Sequence, residues 1–312
     1  MTQKIDAEDA RYIKLGGKGR WEQLCLEDGT LRLGYFEAPH DLATSGDMKG
    51  LRQHFVDQGH KPPTATVHTN QVLSFYETGP RTLWITFSAG YLWWAFAEGP
   101  VEFLGGSVEE MEERGSRLRR TRDGWHNSSV GGAPLRIPEL SGALTKTASY
   151  QMTICSVDSL DYLIRKINDQ DLPEVAAARS ARSALLRSTT DLMRLLTWRD
   201  FELLIELVFS QSGWRRISAS GGTQKTIDIE LVLPTTGEAA FVQVKSKTNQ
   251  VQLDDYIERF AERDDARMFY VYHTSQTTLT CADDRVILVG PDRLAEMVMD
   301  TGLFGWLLKK AG

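Results

Sequence analysis

The sequence predicts two domains of different class: a β-rich, barrel-like domain over residues 1–157 and an α/β domain, a mixed sheet flanked by helices, over residues 197–312. A helical linker over 158–196 is expected to join them. Two observations carry this. In the first half, short aromatic and β-branched runs alternate with turn residues, the pattern of a small curved sheet. In the last third, helix-period and strand-period segments follow one another, the pattern of an α/β layer structure.

In the first domain, Leu31–Tyr35, Val72–Tyr76, Leu83–Phe87 and Leu92–Phe96 read as strands. Asp28-Gly29, Thr78-Gly79-Pro80, Ala89-Gly90 and Glu98-Gly99-Pro100 punctuate them. Asp47–Gln58 reads as a short helix, with Leu51, Phe55 and Val56 on one face. Residues 106–133 read as a polar loop region and residues 134–157 as a return to strands.

The α/β part begins at Thr197, a helix cap with Asp200 three residues on. Phe201, Leu204, Ile205 and Val208 repeat at helical spacing until Gly213 stops the helix. Strands are expected near 214–218, over 226–233 and over 239–244, with a Gly221-Gly222 turn between the first two. A helix over 253–262, strands over 267–273 and 285–289, and a helix over 293–300 complete the domain.

Composition narrows the class. The 312 residues are 41% hydrophobic and 25% charged, ordinary values for a chain that buries a core. No apolar stretch is long enough for a membrane-spanning helix. The acidic N-terminal stretch lacks the basic start and apolar run of a secretory leader. Three widely spaced cysteines, Cys25, Cys155 and Cys281, form no CxxC pair, so neither a disulfide framework nor a zinc site is expected, and a cytoplasmic location fits. The net charge of −6 argues against a general nucleic-acid coat but leaves room for a local basic surface. Gly16-Gly17-Lys18-Gly19 lacks the spacing of a phosphate-binding loop and reads as a turn.

Chemistry concentrates between residues 202 and 245. Gln243 and Lys245 are two apart on one strand and therefore share a face. Asp228 lies fifteen residues before Gln243, room for its strand to turn and return as a neighbour. Glu202 sits in the first turns of the preceding helix. Such a set suits phosphodiester hydrolysis: Asp228, the Gln243 amide oxygen and Glu202 offer hard oxygen ligands to a divalent cation. Lys245 would orient water or offset charge growing on the phosphate. Taken singly, each residue is more often an ordinary strand or surface side chain; their joint order is what points to a site.

Phe201-Glu202, Gly213-Trp214, Gly221-Gly222, Asp228 and Gln243-Val244-Lys245, in that order, resemble the Mrr-like restriction endonucleases, a branch of the PD-(D/E)xK superfamily. The resemblance implies a restriction-endonuclease-like fold, dependence on Mg²⁺ with Mn²⁺ as a substitute, double-stranded DNA as substrate, and Glu202, Asp228, Gln243 and Lys245 as the catalytic set. The segment Gly222 to Asp228 departs from the Gly-rich, doubly acidic pattern usual before that Asp, and Glu206 and Glu230 are the nearest alternative carboxylates. A homodimer or higher assembly is expected, since two nicks need two sites.

The first domain has the texture of PUA-superfamily modified-base readers. Trp84, Trp93 and Trp94 are candidates for an aromatic base pocket, against the plainer reading of core rings. Arg117, Arg119, Arg120 and Arg122 form a candidate nucleic-acid-binding loop. The alternative there is a solvated loop paired to Glu109, Glu110, Glu112 and Glu113. The sequence thus reads as an Mg²⁺-dependent DNA endonuclease of restriction or phage-defence type. Its rivals are a structure-specific repair nuclease, an RNase on the same fold, and a non-catalytic nucleic-acid-binding protein.

Overall fold

The computed structural model describes residues 4–217, 229–261 and 266–312. The chain divides into two compact units, Met1–Leu172 and Pro173–Gly312. Residues 158–196, expected as a linker, are shared between them. The helix Leu160–Ile167 buries Leu163 and Ile167 in the first unit, and the helix Pro173–Leu195 buries Met193 in the second.

The first unit is built on six strands: β1 (Asp9–Ile13), β2 (Thr30–Leu33), β3 (Thr82–Ser88), β4 (Tyr91–Phe103), β5 (Arg117–His126) and β6 (Ile154–Ser156). Its α-helices are α1 (Glu22–Asp28), α2 (His40–Thr44), α3 (Met48–Asp57), α4 (Pro62–Tyr76), α5 (Val108–Arg114), α6 (Gly142–Thr145) and α7 (Leu160–Ile167). The sheet order is β2-β5-β4-β3-β1-β6, a half-barrel rather than the barrel-like closure expected. Both faces are covered, as strand alternation requires. Leu83, Ile85, Leu92 and Trp94 pack on one side with Leu163 and Ile167 of α7. Ile13, Trp84 and Ala95 pack on the other with Cys25 of α1 and Phe75 of α4.

Three local expectations are corrected. Val72–Tyr76 is the end of helix α4, not a strand. Pro62 supplies a preset φ at the helix start, and Ala65, Thr69, Val72 and Leu73 are buried at helical spacing. Residues 106–133 are not a loop region but hold helix α5 and strand β5. Ser107 accepts from the Glu110 backbone while the Glu110 side chain accepts from the Ser107 backbone, a reciprocal cap that starts α5. Residues 134–157 hold short helical turns, and only Ile154–Ser156 is a strand.

The second unit contains α8 (Pro173–Leu195), α9 (Trp198–Gln211), α10 (Gln250–Phe260), α11 (Pro291–Asp300) and α12 (Phe304–Ala311). Its strands are β7 (Arg215–Arg216), β8 (Ile229–Leu233), β9 (Glu238–Thr248), β10 (Ala266–Ser275) and β11 (Val286–Val289). They form a mixed sheet in the order β11-β10-β9-β8-β7. Here β9, β10 and β11 run parallel, and β7 and β8 are antiparallel to their neighbours. The Thr197 side chain caps α9 by accepting from Asp200 N, and Gly213 takes φ +92° just past the helix end. Phe201, Leu204, Ile205 and Val208 of α9 pack with Leu294 and Val298 of α11 on Ile229, Val242, Val244 and Val271. On the opposite face, Leu253 and Phe260 of α10 cover Phe241, Met268, Tyr270 and Tyr272. Mixed sheet and flanking helices are the α/β architecture expected of this region. No helix among the described residues is long and apolar enough to cross a membrane.

Candidate active site

Period-two alternation along β9 separates its side chains cleanly. Val242 and Val244 face the core under α9, so Gln243 and Lys245 face α10. Gln243 is 1% exposed, and Lys245 is half-buried at the next position outward. The parallel partner β10 sets Tyr270 opposite Gln243 and Tyr272 opposite Lys245. Tyr270 is fully buried, and its hydroxyl pairs with Thr248 Oγ1 at 2.5 Å; burial raises its phenol above the ordinary range. The Lys245 ammonium lies 4.9 Å from the ring centroid of Tyr256 on α10, a cation–π contact that holds the lysine over this face.

On the other side of β9, Ile229 pairs with Val242 and Glu230 with Phe241 in an antiparallel ladder. Strand β8 therefore begins at the end of the sheet where Gln243 and Lys245 stand. Asp228 itself, with the Gly221-Gly222 turn and the strand expected from 226, lies outside the described residues. Glu230 shares the α10 face but sits opposite Phe241, further from Lys245 than the start of β8. Glu206, the other alternative carboxylate, forms a 2.7 Å ion pair with Arg216 of β7, which ties α9 to the sheet edge.

Glu202 is half-buried on α9. Its neighbour Phe201 meets His273 edge-on, with centroids 4.6 Å apart. His273 follows Tyr272, the residue opposite Lys245. The first turns of α9 thus lie at the same end of the sheet as Lys245, but α9 covers the other face. The structure brings Gln243 and Lys245 side by side and sets Glu202 at the same sheet end, across the sheet. Tyr256 and Tyr270 were not singled out from the sequence. Aromatic residues on helices and strands read as core, and only the β9–β10 register shows that they border Gln243 and Lys245.

Burial lowers the pKa of His273, and the charges of Arg194 and Lys247 lower it further. Oxygen donors for a hard cation are present at this end of the sheet in the Gln243 amide and the Glu202 carboxylate. Among the described residues no group of three His, Cys, Asp or Glu could hold a metal ion. Gln243 and Glu202 stand on opposite faces of the sheet, so the described residues alone do not form a cation site.

The candidates in the first unit separate into buried and exposed groups. Arg117 is 0% exposed, contrary to a phosphate-binding role. Its guanidinium donates to Tyr76 Oη, to the Tyr35 and Ala38 carbonyls and to Ser116 Oγ. Arg119 is also buried and donates to Thr78 and to the Gly99 carbonyl. Both lie on a strand and brace backbone carbonyls. Arg120 is exposed but paired to Glu102 at 2.9 Å, and Arg122 is exposed over the Phe96 ring. Trp84 is a core ring against Phe75, not a pocket wall. Trp93 and Trp94 face opposite ways, as adjacent strand residues must. Both rings contribute to the packing, because the sheet is covered on both sides.

Searches of curated proteins and of solved structures matched nothing. A scan of family models matched one segment, roughly a third of the chain. Residues 193–298, from the end of α8 through the five-stranded sheet to α11, match the Mrr_cat model of restriction endonucleases, so the second unit carries a restriction endonuclease domain.

Proposed function

We propose that the protein is an Mg²⁺-dependent DNA endonuclease of restriction or phage-defence type, with Glu202, Asp228, Gln243 and Lys245 as its catalytic set and the first unit sensing the target. One observation carries the reading. Gln243 and Lys245 stand together on one face of β9, at the sheet end where β8 begins, inside the segment that matches the nuclease family. Asp228 immediately precedes Ile229, the first residue of β8, in the sequence.

In this reading Asp228 and the Gln243 amide oxygen would hold the cation, with Glu202 reaching it directly or through water, and Mn²⁺ would substitute for Mg²⁺. The metal would polarise the phosphate and acidify a bound water. Lys245 would orient the attacking water and offset the negative charge gathering on the phosphate oxygens. The buried position of Gln243 and the Tyr256 ring beside Lys245 fix both groups before substrate arrives. Substrate is double-stranded DNA, a modified base being one candidate for what the first unit senses, and a homodimer or higher assembly cuts both strands.

The test is Asp228→Ala on the full chain, with plain, modified and branched DNA and RNA as substrates. Loss of Mg²⁺-dependent cutting with retained DNA binding is expected. Equal inertness of the parent and the variant on every substrate would overturn the nuclease reading in favour of a binding protein. Preference for branched DNA or RNA would redirect it to a repair nuclease or an RNase.

A further inference from the structure

The first unit contains a cavity of about 710 Å³, within the range of roughly 300–1,000 Å³ typical of ligand pockets. Its wall is the β4–β5 ribbon. Trp94 pairs with His126 across the two strands, and Phe96 pairs with Arg122. The Trp94 and His126 rings lie 4.6 Å apart and are inclined by 33°. The Phe96 ring meets Trp94 edge-on at 6.4 Å. The Arg122 guanidinium sits 5.7 Å from the Phe96 centroid. Three rings and a planar cation therefore follow one another along a single face.

The backbone is shaped for this. Between the two cross-strand pairs, β4 has one residue and β5 has three, a bulge centred on Asp123 and Gly124 at φ +61° and +82°. Positive φ is uncommon outside glycine, and bulges re-aim side chains next to functional sites. The Trp94 indole N–H donates to the Ser128 carbonyl at 2.8 Å, which locks the ring in place. The N-terminal wall is pinned as well: Asn168 exchanges two hydrogen bonds with the Ile5 backbone. Arg81, on the rim, is committed to Asp6 and Glu8. Among the described residues, neither Arg122 nor Asp123 has an ion-pair partner.

We propose that this cavity binds a single nucleotide, its base stacked on the partly exposed Phe96 and His126 rings, which the buried Trp94 backs, and its phosphate held by Arg122. Stacking tolerates any base, since every base has a π face, and Arg122 supplies charge where a phosphate would lie. Asp123 offers a carboxylate acceptor for the amino group of a base edge. The proposal rests on the reading of the first unit as the sensing module, and it relocates the pocket from the Trp84, Trp93 and Trp94 set to the β4–β5 face.

The experiment uses the full chain in EDTA, where cutting is suppressed and binding alone is read. The probes are deoxynucleoside monophosphates, a fluorescein-labelled single-stranded DNA, and a labelled duplex with and without one unpaired nucleotide. Arg122→Ala and Phe96→Ala are expected to weaken binding by roughly tenfold or more, whereas Arg52→Ala, an exposed arginine on α3 that does not line the cavity, leaves it within a factor of about two. Arg122 is exposed, so its variant tests the proposal even where Phe96→Ala disturbs packing. Tight binding of the monophosphate alone identifies a free nucleotide as the ligand. Binding only of single strands and of the duplex with an unpaired nucleotide identifies a strand. If the parent binds these probes and the Arg122 and Phe96 variants bind equally well, the cavity assignment is wrong while the sensing reading stands. If the parent binds no probe, both are wrong. Mg²⁺-dependent cutting by the parent, measured separately, reports on the nuclease reading alone.

Discussion

Replacing Arg117 with alanine should unfold the first unit far more readily without changing how the protein holds DNA. The side chain is 0% exposed and satisfies four acceptors, three of them at 3.0 Å and the Tyr76 hydroxyl at 3.2 Å. It also lies 5.6 Å from the Phe103 centroid and 5.8 Å from that of Tyr76. Each acceptor left buried without a donor costs about 1–3 kcal/mol, although small shifts and entering water recover part of that. Burial of an unpaired cation is itself unfavourable and pulls the Arg117 guanidinium below its ordinary range. Removal therefore relieves one cost while exposing another. Four acceptors left without a donor, offset by relief of the buried charge and by entering water, give an expected net loss of about 3–5 kcal/mol. For a unit of this size it corresponds to a fall in Tm of roughly 6–20 °C at about 2–4 °C per kcal/mol. Urea and thermal unfolding followed by tryptophan fluorescence measure it, and the salt dependence of DNA binding is measured in parallel. A phosphate contact would lower the slope of log K against log salt by about 1; Arg117→Ala should leave that slope unchanged. Wild-type stability with a reduced slope would refute the assignment of Arg117 to the interior.

Three further outcomes follow from the same geometry. Lys245→Met should lower kcat about 10²–10³-fold, and loss of its contact with the Tyr256 ring should cost about 0.5–2 kcal/mol; single-turnover cutting together with thermal melts checks that the two effects separate, and near-normal cutting removes Lys245 from the mechanism. Because His273 titrates below its usual value of about 6.5 in the fold, the unfolded chain takes up the proton first as pH falls, so this contribution to stability is complete above about pH 6.5 and declines below it. His68, lowered by burial and by His60, acts with the same sign in the first unit; urea midpoints should fall between neutral pH and about pH 5, less steeply in His273→Gln, and identical profiles would count against the assignment. Burial pushes the Cys25 thiol up to about 12, so native alkylation at mildly alkaline pH should spare Cys25 and modify Cys281 first by peptide mass spectrometry; equal rates would mean that the α1 region opens readily.

Sequence alone determined the features that depend on neighbours along the chain. Asp47 and Thr197 announce helices α3 and α9, because a side-chain oxygen can satisfy backbone N–H groups only two or three residues ahead. The same signal at Ser107 and Glu110 marks α5, a helix passed over because the segment is polar throughout. The shared face of Gln243 and Lys245 is likewise local, a consequence of period two along a strand. Other features depend on partners far away in sequence. Val72–Tyr76 is compatible with either strand or helix, and burial against Ala38, Leu51 and Phe55 of residues 38–55 accompanies the helical outcome. Four arginines on one strand look alike in sequence. Which of them are buried is decided by carbonyls some twenty to eighty residues distant that close over Arg117 and Arg119 and leave Arg120 and Arg122 outside. Tyr270 beside Gln243, and the Trp94–Phe96–His126 wall, exist only through strand register. Register is set by the packing of whole sheet faces, a long-range choice that local sequence periodicity permits but does not make.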